Sequence, residues 1–330
     1  MALIDHTNQQ ITTEHQLRKI ISAYPKILDK RIQPKLDHYC LELISLSTFI
    51  ISAYSQSAIP MTPLAKKNVV IIDSHTIEIS VEYLMNEKCH VSLYFLVPGV
   101  GHGLRVNGQI QHQGSQVVLK IKSVYLHCAR AVARSEFWRN SEKTLQFKNS
   151  QPISSEQFLS VSPYLLMKTM NEIGETELSP RGDQAGFVHF IDEKRLFIPE
   201  RPGNKVAVSL RNMLKNKKVE LLLFIPGTDC VMHVDGDAII TKDDQLLDAC
   251  VVKDKRPKLG VMLDHCRFSI KQSNAIQKAQ LWLDTNQVNP DCLTRFSKAL
   301  SAHMNGEGLI GKVTTPFIDA VVKNDMKHLY

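Results

Sequence analysis

Short alternating runs of apolar and polar residues dominate the middle of the chain, and they predict strands rather than long helices. Residues 69–72 are β-branched, Asp73 and Ser74 offer a turn, and residues 76–81 alternate, a pattern typical of a hairpin. Three further strands of the first half are predicted over residues 91–97, 103–110 and 120–125. The last of these leads into a helix predicted near residues 127–138.

The second half of the chain repeats this order of elements. A hairpin is predicted from residues 187–191 and 195–198, a helix over 206–214, and strands over 219–225 and 233–241. Each half also has a strand that is stopped by a Pro-Gly turn. Two domains of similar architecture are therefore expected.

The two ends of the chain have a more helical pattern. Residues 12–58 are expected to be mostly helical, with Thr13 as an N-cap, although the apolar stretch 41–54 could begin as helix and end as strand. Residues 284–330 are expected to form a loop followed by helix. The polar stretch 139–156 is interpreted as a linker.

Three stretches of the first half match three of the second in order and kind. The first two pairs are VSLYFLVPG (91–99) with VELLLFIPG (219–227) and LRVNGQI (104–110) with MHVDGDA (232–238). Residues 119–138 align without gaps on 263–282, which places the two tryptophans of the chain, Trp138 and Trp282, at equivalent positions. Three matches in one order indicate an internal repeat.

The polar residues of this repeat are divided between the halves. The first half keeps HCARAVARSEFW (127–138), where the second half lacks the matching arginines. The second half keeps SPRGD (179–183) and IPERPGNK (198–205), where the first half lacks the arginines and glycines. Each half has kept the polar set that the other lacks.

Composition limits the class of protein. No apolar run approaches the roughly 18 residues needed to span a bilayer, and the N-terminus lacks a basic-then-apolar leader, so a cytoplasmic protein without membrane contact is expected. The seven cysteines include no C-x-x-C pair, which argues against a disulfide framework or a zinc knuckle, and no metal is expected.

The net charge of +7 comes mainly from residues 1–150, which carry 17 Lys and Arg against 11 Asp and Glu. These charges are spread out, without a dense block of one sign. The balance is compatible with an anionic small ligand or weak nucleic-acid contact, and the first is favoured over a nucleic-acid partner.

These motifs resemble the FMN-binding split barrels related to pyridoxamine 5′-phosphate oxidase, in particular a branch with the pattern SPRGD, IPDRPGN-[KR], SLRN, IPG, LRVNG and HCxKAxxRSxLW. The second half reads SPRGD, IPERPGNK, SLRN and IPG, and the first half reads LRVNG and HCARAVARSEFW, with Arg130 in place of the lysine. The opening ITTEHQLRKI and the final His-Leu-Tyr are also similar. The resemblance spans most of the chain.

The resemblance implies a mainly β fold with flanking helices (α+β), built as two tandem split β-barrels that form an intrachain pseudo-dimer. A single-barrel member carries every motif once and homodimerises, with each flavin between protomers. Because a symmetric dimer shares each site between both copies, the divided motifs predict one composite site in one chain. The expected domains are an N-terminal helical segment (1–40), a first barrel (41–145), a linker (146–156), a second barrel (157–285) and a helical tail (286–330).

The resemblance also implies FMN as the cofactor. Arg201, Asn204 and Lys205 are expected near its phosphate, with Arg181 in reach, because cationic side chains bind phosphate well. The full predicted set from the second half is Ser179, Arg181, Asp183, Ile198, Pro199, Arg201, Gly203, Asn204, Lys205 and Ser209. The first half is expected to contribute Arg105, His127, Arg130, Arg134 and Trp138.

Plainer interpretations of the same residues stay open. Residues 202–204 could form only a turn. Trp138 and Trp282 could be matched core residues rather than neighbours of a flavin. His127 could be a hydrogen-bonded structural residue.

Three functions are compatible with these features. The first is a flavin-dependent oxidoreductase resembling pyridoxamine 5′-phosphate oxidase, acting on a small-molecule substrate, for which His127 and Arg134 are the nearest candidates for catalytic roles. The second is a flavin-binding or sensor module without turnover, and the third is a barrel with a dead site that is used for interaction. A haem or a deazaflavin, in place of FMN, is a related possibility for the ligand of a split barrel. One FMN per chain is expected, and further self-association stays open.

Overall fold

The computed structural model describes residues 9–56, 59–80, 89–114, 116–139 and 154–330. The elements of the first series are α1 (Glu14–Ile20), α2 (His38–Leu46), β1 (Phe49–Tyr54), β2 (Thr62–Ala65), β3 (Val69–Asp73), β4 (Thr76–Ile79), β5 (His90–Leu96), β6 (Gly103–Gln113), β7 (Gln116–His127) and α3 (Arg130–Ser135). A 3-10 helix, Lys26–Arg31, lies between α1 and α2.

The second series begins after residue 153. Its elements are α4 (Ser155–Val161), β8 (Tyr164–Met170), β9 (Thr176–Gly182), β10 (His189–Asp192), β11 (Arg195–Pro199), α5 (Val208–Met213), β12 (Lys218–Phe224), β13 (Cys230–Thr241), α6 (Asp244–Asp248), β14 (Gly260–Gln272) and α7 (Asn274–Ala279). Two 3-10 turns then lead to the C-terminal helices α8 (Phe296–Asn305) and α9 (Leu309–Lys327).

Each series builds one seven-stranded antiparallel sheet. The strand order is β2-β1-β5-β6-β7-β4-β3 in the first sheet and β9-β8-β12-β13-β14-β11-β10 in the second. Since β8 to β14 follow one another as β1 to β7 do, the two orders are the same. The predicted fold class, mainly β with flanking helices, is confirmed, and the sheets are consistent with two tandem split-barrel domains.

The two aligned tryptophans have the same structural role. Trp138 Nε1 donates a hydrogen bond to the carbonyl of Val100 at 2.7 Å, and Trp282 Nε1 donates to the carbonyl of Thr228 at 2.7 Å. Each bond ties the segment after a helix to the Pro-Gly turn of its own half. This supports the interpretation of both tryptophans as packing residues.

An apolar cluster joins the two halves. The rings of Phe137 and Tyr164 stack with their centroids 4.1 Å apart, and Phe49 meets Phe224 edge-on at 6.2 Å. All four residues are fully buried in one cluster that draws on both sheets. Burial of several aromatic side chains is a large stabilising contribution, so this core holds the halves in one arrangement.

The ends of the chain cross to the opposite halves. Leu17 of α1 is buried in the core of the second sheet, and the amide of Ile11 donates to the carbonyl of Ile240 at 2.8 Å. Ala299 of α8 is buried in the core of the first sheet. Each half is thus covered by a helix from the far end of the sequence.

The apolar stretch 41–54 begins in helix α2 and ends in strand β1, as one of the two alternatives left open for it predicts. Strand β1 (Phe49–Tyr54) is buried along its whole length because it pairs with β2 on one side and β5 on the other. In the sequence, a strand that is buried on both faces appears as a continuous apolar run, which periodicity alone does not distinguish from a buried helix. Helix α3 is also shorter than predicted, and residues 140–153 of the expected linker lie outside the described residues.

Among the described residues, no helix has the length and apolar character required to cross a membrane.

Candidate functional site

A cavity of about 490 Å³ lies between the two halves. Its walls come from the end of β7 and helix α3 in the first half, and from β9, the end of β11 and the loop 200–208 in the second. The connection between β13 and β14 and the C-terminal residue Tyr330 complete it. This volume lies within the range of about 300–1,000 Å³ that is usual for small-molecule sites.

Most of the predicted site residues meet at this cavity. The first half contributes three of them and the second half eight. The lining residues from the predicted set are His127, Arg130, Arg134, Ser179, Arg181, Pro199, Arg201, Gly203, Asn204, Lys205 and Ser209. Front motifs of one half and the back motif of the other therefore come together, as the divided pattern of the sequence predicts.

Three predicted residues lie elsewhere. Arg105 is 1% exposed and binds the carboxylate of Glu177, so it is a buried link between the halves rather than a wall of the cavity. Ile198 is in the apolar core of the second sheet. Trp138 packs beside the aromatic cluster between the halves.

Asp183 supports the cavity from behind. Its carboxylate is fully buried, accepts a hydrogen bond from Arg201 Nε at 2.5 Å on Oδ2, and accepts another from the Tyr330 hydroxyl at 2.5 Å on Oδ1. Burial, and then the hydrogen bond to Asp183, raise the pKa of Tyr330, so its hydroxyl remains a donor at neutral pH. These contacts fix the guanidinium of Arg201 at the cavity wall.

The loop after Arg201 has an unusual backbone. Lys205 and Ala207 have φ angles of +63° and +55°, a left-handed conformation that side chains other than glycine rarely adopt. The Asn204 side chain accepts from the amide of Val206 at 3.0 Å, and Arg18 of α1 donates to the carbonyls of Lys205 and Val206. Strained backbone that is held by several contacts often occurs at ligand sites.

Helix α3 is attached to the second half on the other side of the cavity. Arg134 donates from Nη2 to the carbonyl of Pro202 at 2.6 Å and from Nε to the carbonyl of Leu329 at 2.7 Å. Gly182 of β9 lies against this helix, because a Cβ at this position would be only 2.2 Å from the carbonyl oxygen of Ala131. The two halves are in direct contact where they line the cavity.

The serine pair of the site is already hydrogen-bonded. Ser209 donates from Oγ to Ser179 Oγ at 2.9 Å, and both residues are buried. Their bond connects β9 to α5. The hydroxyls therefore stabilise the wall in addition to facing the cavity.

Cationic side chains outnumber acidic ones on the walls of the cavity. Among the described residues that line it, nine carry a cationic side chain and one, Glu200, carries an acidic side chain. The cationic side chains are Arg31, Arg130, Arg134, Arg181, Arg201, Lys205, Lys255, Arg256 and Lys258. Four of them are in ion pairs with carboxylates: Arg130 with Asp325, Arg181 with Glu200, Arg201 with Asp183, and Arg256 with Asp244 and Asp248. The remaining five have no carboxylate at ion-pair distance among the described residues, and this excess of positive charge favours an anionic ligand.

Several nitrogens at the cavity have no hydrogen-bond partner among the described residues although they are buried. They are Arg31 Nε, His127 Nε2 and Arg130 Nε; Arg181 Nε also lacks a hydrogen bond but forms an ion pair with Glu200 Oε2 at 3.4 Å. Burial, reinforced by the charge of Arg105, lowers the pKa of His127 well below its usual value, so this imidazole is neutral at pH 7. A buried polar group without a partner is costly, which is expected where a ligand supplies the missing acceptor.

Sequence reasoning missed part of the lining. Lys255, Arg256 and Lys258 lie in the connection between β13 and β14, where the second half carries about 16 residues more than the first. The short basic cluster KDKRPK (253–258) within this connection was the available signal. Arg31 comes from a 3-10 helix that has no distinctive pattern, and Tyr330 was indicated only by the resemblance of the final His-Leu-Tyr.

The donor set fits FMN. The cationic side chains suit a phosphate near −2 charge, and the buried nitrogens suit the polar edge of a flavin ring. Apolar contact is available from Ile20, Ile21, Phe187, Val206 and Leu259 on the same cavity.

Comparisons with known proteins show a limited likeness. No protein-family model matches the chain, and no curated protein matches it. A putative pyridoxamine 5′-phosphate oxidase from Lactobacillus delbrueckii is similar at 18% identity and a TM-score of 0.28, over 38% of this chain and 97% of that one. An F420 reductase is similar at 16% identity and a TM-score of 0.28, over 36% of this chain and 98% of that one.

HutZ, a heme storage protein from Vibrio cholerae, is similar at 11% identity and a TM-score of 0.26, over 35% of this chain and 89% of that one. Each of these matches covers little more than a third of the chain. At these identities and TM-scores they carry no argument about function, which rests on the cavity and its residues.

Proposed function

We propose that the chain binds one FMN in the cavity between its halves and acts as a flavin-dependent oxidoreductase. The observation that carries this proposal is the meeting of the retained motifs of both halves at one cavity with nine cationic side chains and one acidic side chain. A turn in residues 202–204 alone would not require the arginines of α3 to face it from the other half.

The second half provides the phosphate end of the site in this proposal. Arg201 uses Nε to bind Asp183, which leaves its terminal nitrogens for a phosphate. Lys205 lies four residues further in the same loop, whose left-handed backbone is held by Arg18. A planar guanidinium can bind phosphate through two parallel hydrogen bonds, and a lysine adds a point charge.

The first half closes the site from the opposite side. Arg134 and Arg130 both donate to the carbonyl of Pro202, so α3 is tied to the phosphate loop. His127 contributes a neutral imidazole whose Nε2 has no partner among the described residues. The composite character of the site follows, because loss of either wall would open the cavity.

When bound, FMN supplies the hydride and electron transfer chemistry. The residues of the chain orient the cofactor, exclude water and hold positive charge beside it. No acid or base for the reaction is assigned, and the substrate is a small molecule whose identity is open. A flavin-binding module without turnover has the same residues. In such a module, pyridine nucleotides would not reduce the bound flavin and oxygen would not reoxidise it.

The absorbance spectrum of the purified protein tests the ligand, with the released chromophore quantified per chain. A flavin spectrum is expected, whereas a haem or deazaflavin spectrum, or failure to take up added FMN, would refute the proposal. Reduction of the bound flavin by NADH or NADPH and its reoxidation by oxygen then separate an oxidoreductase from a carrier.

Variants test the two walls separately. The double change Arg201→Ala with Lys205→Ala is expected to abolish FMN binding. Arg134→Ala is expected to weaken it by about 10- to 100-fold, since a hydrogen bond to a charged group contributes about 1.5–3 kcal/mol. Arg139→Ala is the matched control, because Arg139 is an exposed arginine just beyond α3 that does not line the cavity. Unchanged affinity in the Arg134 variant would contradict the composite site.

A further inference from the structure

Residues 325–330, at the end of α9 and just beyond it, contact the wall of the cavity that the first half provides. Asp325 forms an ion pair with Arg130 of α3 at 2.6 Å. The carbonyl of Leu329 accepts a hydrogen bond from Arg134 Nε at 2.7 Å. We call this segment the strap, and two arginines of α3 hold it against the first half.

Tyr330, at the tip of the strap, contacts the second half. Its hydroxyl donates to Asp183 Oδ1, and the other oxygen of that carboxylate accepts from Arg201 Nε. Three cationic side chains lie near its ring, at 5.8 Å from the centroid for Arg134, 5.4 Å for Arg201 and 5.6 Å for Lys253. One side chain therefore connects α3, the loop after β11 and the connection between β13 and β14.

The base of α9 is held in a different way from the strap. Where α9 packs on α8, Ser297 donates to the Asp319 carboxylate at 2.9 Å and Ser301 donates to the carbonyl of Gly311 at 2.9 Å. By contrast, none of the residues 325–330 belongs to an apolar core cluster of the described chain. A segment with few buried apolar contacts opens at a small cost in free energy, so the strap can detach while the rest of α9 stays in place.

The strap and the cavity share the same cationic side chains. Arg130, Arg134 and Arg201 each line the cavity, and each also contacts the strap. Because Arg201 is bound through Nε to Asp183, the hydrogen bond from Tyr330 to this carboxylate helps to fix the direction in which Arg201 presents its terminal nitrogens. Two events that depend on the same groups are coupled in free energy, and this coupling is reciprocal.

We infer that, given the FMN site proposed above, the strap holds the two walls of the cavity together and sets the rate at which FMN leaves, with Tyr330 as the positioning residue of Arg201. In the closed state Tyr330 holds Arg201 in place, and the strap keeps α3 against the second half. Detachment of Tyr330 loosens both walls at once, and the cofactor is then released. By reciprocity, bound FMN keeps the strap closed.

Stopped-flow fluorescence of FMN release from the full chain tests the effect on the cofactor. Tyr330→Phe keeps the ring and removes the hydrogen bond to Asp183, so FMN should dissociate about tenfold faster, as expected for one hydrogen bond to a charged group. Tyr330→Ala also removes the ring and should release FMN faster still. Tyr24→Phe is the matched control, because Tyr24 donates to Asp29 at 2.8 Å and is not among the described residues that line the cavity.

Limited cleavage by trypsin after Lys327, followed by mass spectrometry, measures the opening of the strap itself. The protease binds residues on both sides of the cleaved bond, so cleavage here requires residues 328–330 to detach. Saturating FMN should slow this cleavage in the wild type. Without FMN, Tyr330→Phe should accelerate it by about tenfold. Cleavage after Lys194, which is exposed between β10 and β11, is the internal control and should not change.

The two measurements separate this inference from the proposed function. Equal rates of FMN release from the wild type and both Tyr330 variants would overturn the strap, as would cleavage after Lys327 that neither FMN nor Tyr330→Phe changes. A wild type that takes up no FMN would refute the proposed function, and the cleavage rates of the ligand-free chains would then decide whether Tyr330 holds the strap. Faster release at an unchanged melting temperature distinguishes the positioning role from a general loss of stability.

Discussion

The buried ion pair between Arg105 and Glu177 links the two halves, and changing Arg105 to Gln should weaken the whole chain. Arg105 of β6 binds the carboxylate of Glu177 of β9 and also donates to the carbonyl of Leu178. Its guanidinium lies 3.9 Å from the ring centroid of Tyr125. The Arg105→Gln variant removes the charge and keeps much of the volume, so Glu177 is left without its cation.

The expected loss follows from the burial of the two partners. Arg105 is 1% exposed and the side chain of Glu177 is 21% exposed. Removing one partner of a buried pair usually costs about 3–5 kcal/mol. Because Glu177 keeps some contact with solvent and a hydrogen bond from Asn107 at 3.1 Å, we expect the lower end, about 3 kcal/mol at pH 7.

The loss should depend on pH in a defined direction. Burial raises the pKa of Glu177 in the folded protein, and the charge of Arg105 opposes this rise. Without Arg105 the pKa should rise further. A raised carboxyl pKa stabilises the folded state below the pKa of the unfolded chain, near 4.3, and this stabilisation is lost as the pH rises through the folded value. The destabilisation of the variant should therefore be smaller at pH 4.5 than at pH 7.

Urea unfolding followed by tryptophan fluorescence measures this effect, because Trp138 and Trp282 both pack beside the cluster that joins the halves. Arg267→Gln is the control, since Arg267 forms an exposed ion pair with Asp235 and its loss should leave the stability almost unchanged. A loss below about 1 kcal/mol for Arg105→Gln, or an equal loss at both pH values, would refute the reasoning.

Two more predictions concern packing and capping. Gly182→Ala should destabilise the chain by about 1–3 kcal/mol and weaken FMN retention, because the added Cβ would collide with the backbone of α3. Gly308→Ala is the control, since a Cβ at this position meets no atom within 4 Å. Equal melting temperatures of the two variants would contradict this prediction. Burial alone would raise the pKa of Asp37, but hydrogen bonds from His303 and Cys40 hold it well below its usual value. Stabilisation by this carboxylate is fully present above about pH 3.8 and is lost gradually as the pH falls towards the much lower folded pKa. Asp37→Asn should therefore cost about 1–3 kcal/mol at pH 7 in thermal unfolding, and this cost should begin to decrease below about pH 3.8.

Much of the fold followed from local patterns in the sequence. The β-branched run at 69–72 and the alternation at 76–81 gave the hairpin of β3 and β4, and the Pro-Gly turns ended β5 and β12 where expected. Helix α5 lies inside the predicted range 206–214. These elements have clear signals because their periodicity and their turn residues agree.

The meeting of candidate residues at one cavity was predicted where motifs carried it and was missed where only three-dimensional packing brings residues together, and FMN binding by these residues stays a prediction. Lys205 and Arg134 line one cavity, as the divided motifs predict. Arg105 was assigned to the site because it lies in a motif, but although it faces the cavity-lining Tyr125, its side chain is buried against that ring and Glu177 and is not part of the cavity wall. The crossing of α1 onto the second half, which brings Arg18 to the loop of Lys205, has no local signal in the sequence.

The central claim is one FMN held jointly by both halves of one chain, and titration of the cofactor-free protein with FMN tests it most directly. Flavin fluorescence quenching should saturate at one FMN per chain, with affinity reduced both by Arg134→Ala in the first half and by Arg201→Ala in the second. Saturation at two FMN per chain, no binding at all, or loss of affinity from the second-half variant alone would contradict the account.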